Sequence, residues 1–367
     1  MKIGLITTLG TNLGDDLIRA GICHILKEVF SGQKIEFACV NKHKPYTVYP
    51  PWHPLRWAPR GQRILRRVLP KYGLSIFDRC DCIVQCGTPV IWPGCHKCEW
   101  AVPVWHEVVG RLSQKGIPVF NLGAGSCYPW KKQPESVTDE EDRAYLQKIL
   151  GYCKITTVRD VLAHTLLKNL GYESPFIPCP ALVAGRPYAG KPADDGFVVI
   201  NYMEKGGHYD WEQNIDAAIW SASVVKLVQH IRKRHKVVFL CHDLKEHALA
   251  SRMDPSIPCF LPKNLDQYFS FLAHAKAGIC NRLHASVALA GIGIPTVAVG
   301  TDTRMKMVEA IGLPSFYVKD AFQEKVTDAF ENIMNRRKSE YERLIALRER
   351  TWNQYVNIVK TCIASKE

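Results

Sequence analysis

No stretch of the 367 residues approaches the roughly 20 consecutive apolar residues that a membrane-crossing helix needs. The first sixteen residues also lack the apolar core of an export signal. Gly4, Gly10 and Gly14 interrupt them, and Asp15 and Asp16 close them. A cytoplasmic protein is expected, in contact with a membrane only from its inner face. Acids are scarce: 35 Asp and Glu stand against 48 Lys and Arg, a net charge of +13 that favours acidic partners. Between Asn41 and Leu74 there is no acid at all. Eight Lys or Arg residues occupy that segment, with Tyr46, Tyr49, Trp52 and Trp57 among them. Its plain reading is a solvated insertion, dispensable for folding. Its functional reading is a loop over an acceptor site, or a patch against anionic lipid through 41–74. Nucleic-acid motifs are missing, and the basic residues follow no helix face, so no nucleic-acid partner is expected.

Cysteine is not scarce. Fourteen are spread along the chain, and without an export signal they are expected to be reduced and mostly buried. Six metal-capable residues, Cys80, Cys82, Cys86, Cys95, His96 and Cys98, fall close together. Cys95 and Cys98 have zinc-ligand spacing, and Cys82 with Cys86 would complete a tetrahedron. Packing thiols remain the first expectation, because Cys80 and Cys82 begin a strand that reads as buried.

Short β-rich runs alternate with longer amphipathic runs. Strands are expected at Lys2–Thr8, Lys34–Val40, Asp81–Gln85, Ile117–Leu122 and Ile155–Val158, with helices between them. A Gly/Pro-rich linker, Ala184–Gly196, interrupts the alternation. It resumes with strands at Phe197–Asn201, Lys236–Cys241, Ala277–Asn281 and Thr296–Val299, and closes on a charged helical region from Asp320 to about Ile363. Repeated strand–helix–strand units imply parallel sheets. The expected fold is α/β: two Rossmann-like domains, 1–185 on the acceptor side and 196–367 on the donor side, facing across a cleft in a GT-B-like arrangement. The C-terminal helix would cross back over both.

Three places carry chemistry. Thr8–Asp16 follows the first strand and opens a helix whose N–H groups can hold an anion. Its glycines, Gly10 and Gly14, fit neither the G-x-G-x-x-G fingerprint nor a Walker loop. Asp15 or Asp16 is equally a helix cap. Arg159 ends a strand and suits a carboxylate or phosphate, unless it merely pairs with Asp160. The third is Asn281–Arg282–Leu283–His284, followed by small residues and Gly293–Ile294–Pro295. His284 can exchange protons near neutral pH; the plainer reading is a capping His and a structural Arg.

Taken in order, these segments resemble the polysaccharide pyruvyl transferase family. Asn12–Leu13–Gly14–Asp15–Asp16 is similar to its Asn-x-Gly-Asp opening. Thr157–Asp160 with Leu170–Gly171 is similar to its Val-Arg-Asp segment. Arg282–Leu283–His284–Ala285 before Gly293–Ile294–Pro295 resembles its most diagnostic motif. Asp302–Thr303–Arg304 resembles an Asp-x-Lys segment. Two departures stand out. Cys86–Gly87–Thr88 replaces a glycine run, and Arg304 replaces Lys, with Lys306 two residues on.

The resemblance implies transfer of a pyruvyl group from phosphoenolpyruvate to a sugar hydroxyl, closing to a ketal, with no separate cofactor. Its donor would need cations: Arg159, Arg282, Arg304 and Lys306, beside Asn12, Gly14 and Leu283. His284 would be the acid for the methylene carbon and Asp15 the base for the acceptor. A GT-B glycosyltransferase using a nucleotide sugar and a non-catalytic glycan-binding protein are the competing readings.

Overall fold

The computed structural model describes residues 1–10, 12–57, 75–188, 190 and 194–364. The expectations for 58–74 and for part of the 184–196 linker lie outside the described residues. The first half runs β1 (Lys2–Thr7), α1 (Leu13–Val29), β2 (Glu36–Asn41), β3 (Cys82–Cys86) and β4 (Pro89–Ile91). A π-helix, Ala101–Val109, runs into α2 (Gly110–Gln114). Then come β5 (Val119–Ser126), α3 (Glu140–Gly151), β6 (Ile155–Val158), α4 (Val161–Asn169) and a single turn, α5 (Ala181–Ala184). The second half contains β7 (Phe197–Asn201), α6 (Ala217–Arg232), β8 (Val237–Leu240), α7 (Leu244–Met253), β9 (Cys259–Phe260) and α8 (Leu265–Leu272). It continues with β10 (Ala275–Cys280), α9 (Leu283–Gly291), β11 (Thr296–Gly300), a 3-10 helix (Thr303–Ile311) and β12 (Ser315–Tyr317). Two helices, α10 (Gln323–Asn335) and α11 (Arg337–Ala364), end the chain.

Each half builds a six-stranded sheet whose pairings are all parallel. The first has the order β2-β1-β3-β5-β4, with β6 also on β5; the second has the order β12-β11-β10-β7-β8-β9. The central strands are buried on both faces, which is why they read as near-continuous apolar runs rather than alternating ones. One apolar cluster runs without a break from β1, β3 and α1 to β7, β10, β11 and the two terminal helices. The seam is tight. Gly21 of α1 and Gly291 of α9 meet the carbonyls of Pro180 and Leu182, in and beside α5, at distances that leave no room for a Cβ. The terminal helix α11 crosses this seam and packs on α1, α5 and α9. Its Tyr355 hydroxyl donates to the Pro178 carbonyl at 3.0 Å.

A second cluster fills the outer face of the first sheet, and it corrects one expectation. Val48, Tyr49 and Leu55 are 0%, 9% and 6% exposed within it, beside Phe77. In the described part of the basic, aromatic segment these residues are therefore folded into the core, while Trp52 stays exposed. The structure also places the cysteines considered as zinc ligands. Cys82 and Cys86 face the first cluster, Cys95 belongs to the second, and Cys98 packs against the second. Cys82 and Cys86 lie on β3 whereas Cys95 and Cys98 lie in and after a short 3-10 helix packed into the other cluster, and among the described residues these four form no metal-sized group. Among the described residues, the metal-capable group is instead His96 with Asp139 and Glu141.

Candidate active site

In the first sheet the chain steps from β1 to β2 on one side and to β3 on the other; in the second it departs from β7 and β10 in opposite directions. Such switch points open a crevice at the carboxyl ends of the strands. The two crevices face each other and form one cavity of about 810 Å³. Its lining comes from loops after the strands: Thr8 after β1, Lys42 after β2, Thr88 after β3 and Arg159 after β6 on one wall. Opposite stand Met203 after β7, His242 after β8, Arg282 to His284 after β10 and Asp302, Arg304 and Met305 after β11. Asn12, Gly14, Asp15, Arg159, Arg282, Leu283, His284 and Arg304 all line it. Lys306 does not; its ammonium lies 5.2 Å over the Trp130 ring, off the cavity.

Asn12 caps α1, its side chain accepting from Gly14 N at 3.0 Å and donating to Asp15 Oδ2 at 3.0 Å. Gly14 is where the walls touch: a Cβ there would collide with Nδ1 of His284 and stand 3.0 Å from its Cγ. His284 is thereby placed against the start of α1. Its pKa is pushed down to about 3, first by burial and then by Arg159, with Arg304 and Arg282 adding and Asp15 opposing. The imidazole is neutral at neutral pH, and its Nε2 is buried with no partner among the described residues. Burial alone would raise Asp15, but Lys42, His284, the Thr8 hydroxyl and Arg159 together hold it below the usual carboxylate range.

The cations differ in how far they are already neutralised. Arg282 donates from Nε to Glu246 Oε1 at 2.5 Å and from Nη2 to Asp243 Oδ2 at 2.8 Å. Arg304 forks onto Asp302 at 2.8 and 2.7 Å and lies 4.5 Å over the Tyr209 ring. Arg159 is 2% exposed. Asp160 does not serve it as a salt-bridge partner: that carboxylate is taken by Ser126 N and Oγ at 2.8 and 2.7 Å and by Ala163 N at 2.7 Å. Among the described residues Arg159 has no ion pair, and the bond its guanidinium makes is to Cys179 Sγ at 3.4 Å.

Lys42, only 5% exposed, was hidden in the basic segment. It bonds the Thr88 hydroxyl, stands 3.7 Å from Asp15 Oδ1 and lies 5.5 Å over Trp100. Burial lowers its pKa, with Asp15 pulling the other way. His242 and the carboxylates Asp243 and Glu246 were missed as well. The signal for all of them was present: each stands just beyond a strand end that had been placed, and that is where ligands bind.

The walls are stitched beside the cavity. Tyr128 N donates to Thr303 Oγ1 at 3.0 Å, Thr303 N to Tyr128 O at 2.9 Å, and Trp130 N to Thr301 O at 3.3 Å. Gln213 ties in a loop whose Trp211, Glu212 and Asn214 all have φ between 52° and 55°, unusual for residues with a side chain. Its Nε2 donates to the carbonyls of Asp210 and Thr301 at 2.7 and 2.8 Å.

Residues 12–303 match the family described as polysaccharide pyruvyl transferase. The chain belongs to the polysaccharide pyruvyl transferase family. It is accordingly a transferase, and the match spans both walls of the cavity. No curated protein matches it in sequence. Solved structures of similar fold include the Neisseria meningitidis UDP-GlcNAc 2-epimerase bound to UDP-GlcNAc, with TM-score 0.57, 11% identity, and 99% and 100% of the two chains covered. The S. aureus MnaA–UDP co-structure gives 0.55 at 12% identity, covering 94% of this chain and 90% of the other. At such identities they establish the architecture, which is GT-B-like. Among the described residues no helix is long and apolar enough to cross a membrane.

Proposed function

We propose that this transferase takes the pyruvyl group of phosphoenolpyruvate and sets it as a ketal on two hydroxyls of a sugar in a polysaccharide or its precursor. The observation that carries the reading is Arg159, a buried guanidinium that lines the cavity without a carboxylate partner. A dry, unpaired cation of this kind calls for an anionic ligand, and its planar fork suits a phosphate or carboxylate. Arg282 and Arg304, each held in place by its own acids, add oriented N–H donors on the facing wall.

His284 is neutral while only protein groups surround it. A bound donor with several negative charges offsets the surrounding guanidinium groups, and this raises the affinity of His284 for a proton. Protonated, it delivers that proton to the methylene carbon, which becomes the methyl group. The acceptor oxygen bonds to the central carbon, and its proton passes to the Asp15 carboxylate. A second hydroxyl of the same sugar then attacks that carbon as the bond to the phosphate oxygen breaks; its proton passes to the departing phosphate, which leaves as hydrogen phosphate. No separate cofactor takes part. The aromatic rings of Trp92, Trp100 and Tyr209 in the lining suit the faces of a sugar. The setting is the cytoplasm, with the acceptor met at the inner face of the membrane.

Calorimetry with phosphoenolpyruvate tests this directly. The parent should bind it, and Arg159→Ala should weaken binding roughly 10- to 100-fold, the loss of one or two charge-assisted hydrogen bonds. Binding of a nucleotide-diphosphate sugar with none of phosphoenolpyruvate would overturn the reading in favour of a glycosyltransferase. Binding of glycan alone, with no phosphate released, would point to a non-catalytic protein.

A further inference from the structure

His242 follows β8 at the floor of the second crevice and lines the cavity beside Arg282 and His284. Nothing in the reaction outlined above uses it. Its backbone is held by Glu246 and its ring by Tyr268. The backbone N–H donates to Glu246 Oε2 at 2.8 Å. The ring meets Tyr268 edge-on, with centroids 5.5 Å apart. Nε2 lies 3.2 Å from the Tyr268 hydroxyl. Glu246 also accepts from Arg282 and from Asn201 Nδ2, so one buried carboxylate sets His242 and Arg282 in register.

The tautomer follows from which group can afford to be left without a partner. Tyr268 is fully buried, and among the described residues its hydroxyl meets only His242. If Nε2–H donated to the phenol oxygen, the phenol proton would be stranded in the core at the desolvation cost of an unmade hydrogen bond. If instead the phenol donates to Nε2, its proton is satisfied and the imidazole hydrogen sits on Nδ1. Nδ1 is itself buried and has no partner among the described residues. Burial, then Arg282 and His284, hold the ring in its neutral form. The result is an uncharged N–H donor without a protein acceptor, among the cations of the cavity.

We propose that His242 is a further ligand-binding residue, whose Nδ1–H, aimed by Tyr268, donates to an oxyanion of the bound donor: a phosphate or carboxylate oxygen. The inference deepens the pyruvyl-transfer reading and rests on it for the donor's identity, not for the oxyanion. An uncharged donor here completes the coordination of the oxyanion without adding positive charge against His284, which has to gain a proton.

Two measurements test it. Nitrogen-15 correlation spectra of the parent should show His242 neutral near pH 7 with the proton on Nδ1; a proton on Nε2 overturns the proposal. Titration of the parent, His242→Asn, His242→Gln and His242→Ala with phosphoenolpyruvate, and separately with inorganic phosphate, supplies the second readout. Asn can place an N–H where Nδ1 stands, whereas Gln reaches toward Nε2. The Ala and Gln variants should bind about tenfold more weakly, the loss of roughly one hydrogen bond to a charged group. Asn should recover most of that loss, and a merely structural role would not produce this order. Equal affinities in all four proteins refute the proposal. Binding of phosphate without phosphoenolpyruvate would sink the pyruvyl reading while phosphate still reports on His242. If the parent binds neither anion, both fall.

Discussion

Gly14→Ala places one methyl group where the two walls of the cavity meet. The added carbon would stand 3.0 Å from His284 Cγ and closer still to Nδ1, tighter than side chains tolerate. Neither neighbour yields easily. Gly14 lies in the first turn of α1, and His284 in the first turn of α9, whose Gly291 end is pinned against Leu182. The ring must shift by up to about 1 Å. Overpacking of this kind costs about 1–3 kcal/mol, which for a chain of this size lowers the melting temperature by roughly 1–2 °C per kcal/mol. The effect on chemistry is larger, because a displacement of about 1 Å at a proton donor can cost about 10²-fold in turnover. On the proposed reading donor affinity rests mainly on Arg159 and should change only a few-fold. The assay is phosphate release at saturating phosphoenolpyruvate together with a melting curve. Gly116→Ala is the control: Gly116 has φ +84° and open space around it, so its variant feels backbone strain with no steric clash at the site. It should lose stability and keep its turnover. If Gly14→Ala retained turnover within threefold of the parent, the placement of His284 at the reacting carbon would be wrong.

Three further outcomes are expected. His284 has a folded pKa of about 3, below its unfolded value near 6.5, so the unfolded chain binds the extra proton between those limits and stability falls as pH drops through that window; His284→Asn should flatten the melting temperature between about pH 6.5 and 4, and an unchanged slope would contradict a neutral His284. Leu55→Ala, in the segment first read as dispensable, should cost about 2–5 kcal/mol in chemical denaturation because Leu55 is 6% exposed in the core; a loss under about 0.5 kcal/mol would return the segment to the surface. Small-angle scattering should show no compaction when phosphoenolpyruvate saturates the protein, because the shared apolar core and the Tyr128–Thr303 stitching already hold the walls together. A clear fall in the radius of gyration would show that an open state dominates in solution.

The sequence by itself determined the elements and the family. Parallel strands buried on both faces show as apolar runs, and helices alternating with them show as amphipathic ones, so most of the alternation was legible. The exceptions were short or atypical: β4, β9 and β12 have two or three residues each, and α7 carries too few apolar positions to display a period. Motif order likewise marked Asp15, Arg159, Arg282, His284 and Arg304, because each follows a strand that the pattern had located. Tertiary structure decided what those residues are free to do. Asp160 and Arg159 are neighbours in sequence, yet Ser126, 34 positions away from Asp160, takes the carboxylate and leaves the guanidinium unpaired. Lys306 has a sequence position as good as that of Arg304, but the turn of its helix aims it at Trp130. Lys42 looked like one basic residue among eight until β2 delivered it to Asp15. Charge and residue type are local properties. Which charges are already neutralised, and which donors remain unpartnered, depends on contacts between distant segments, and only the folded chain brings those together.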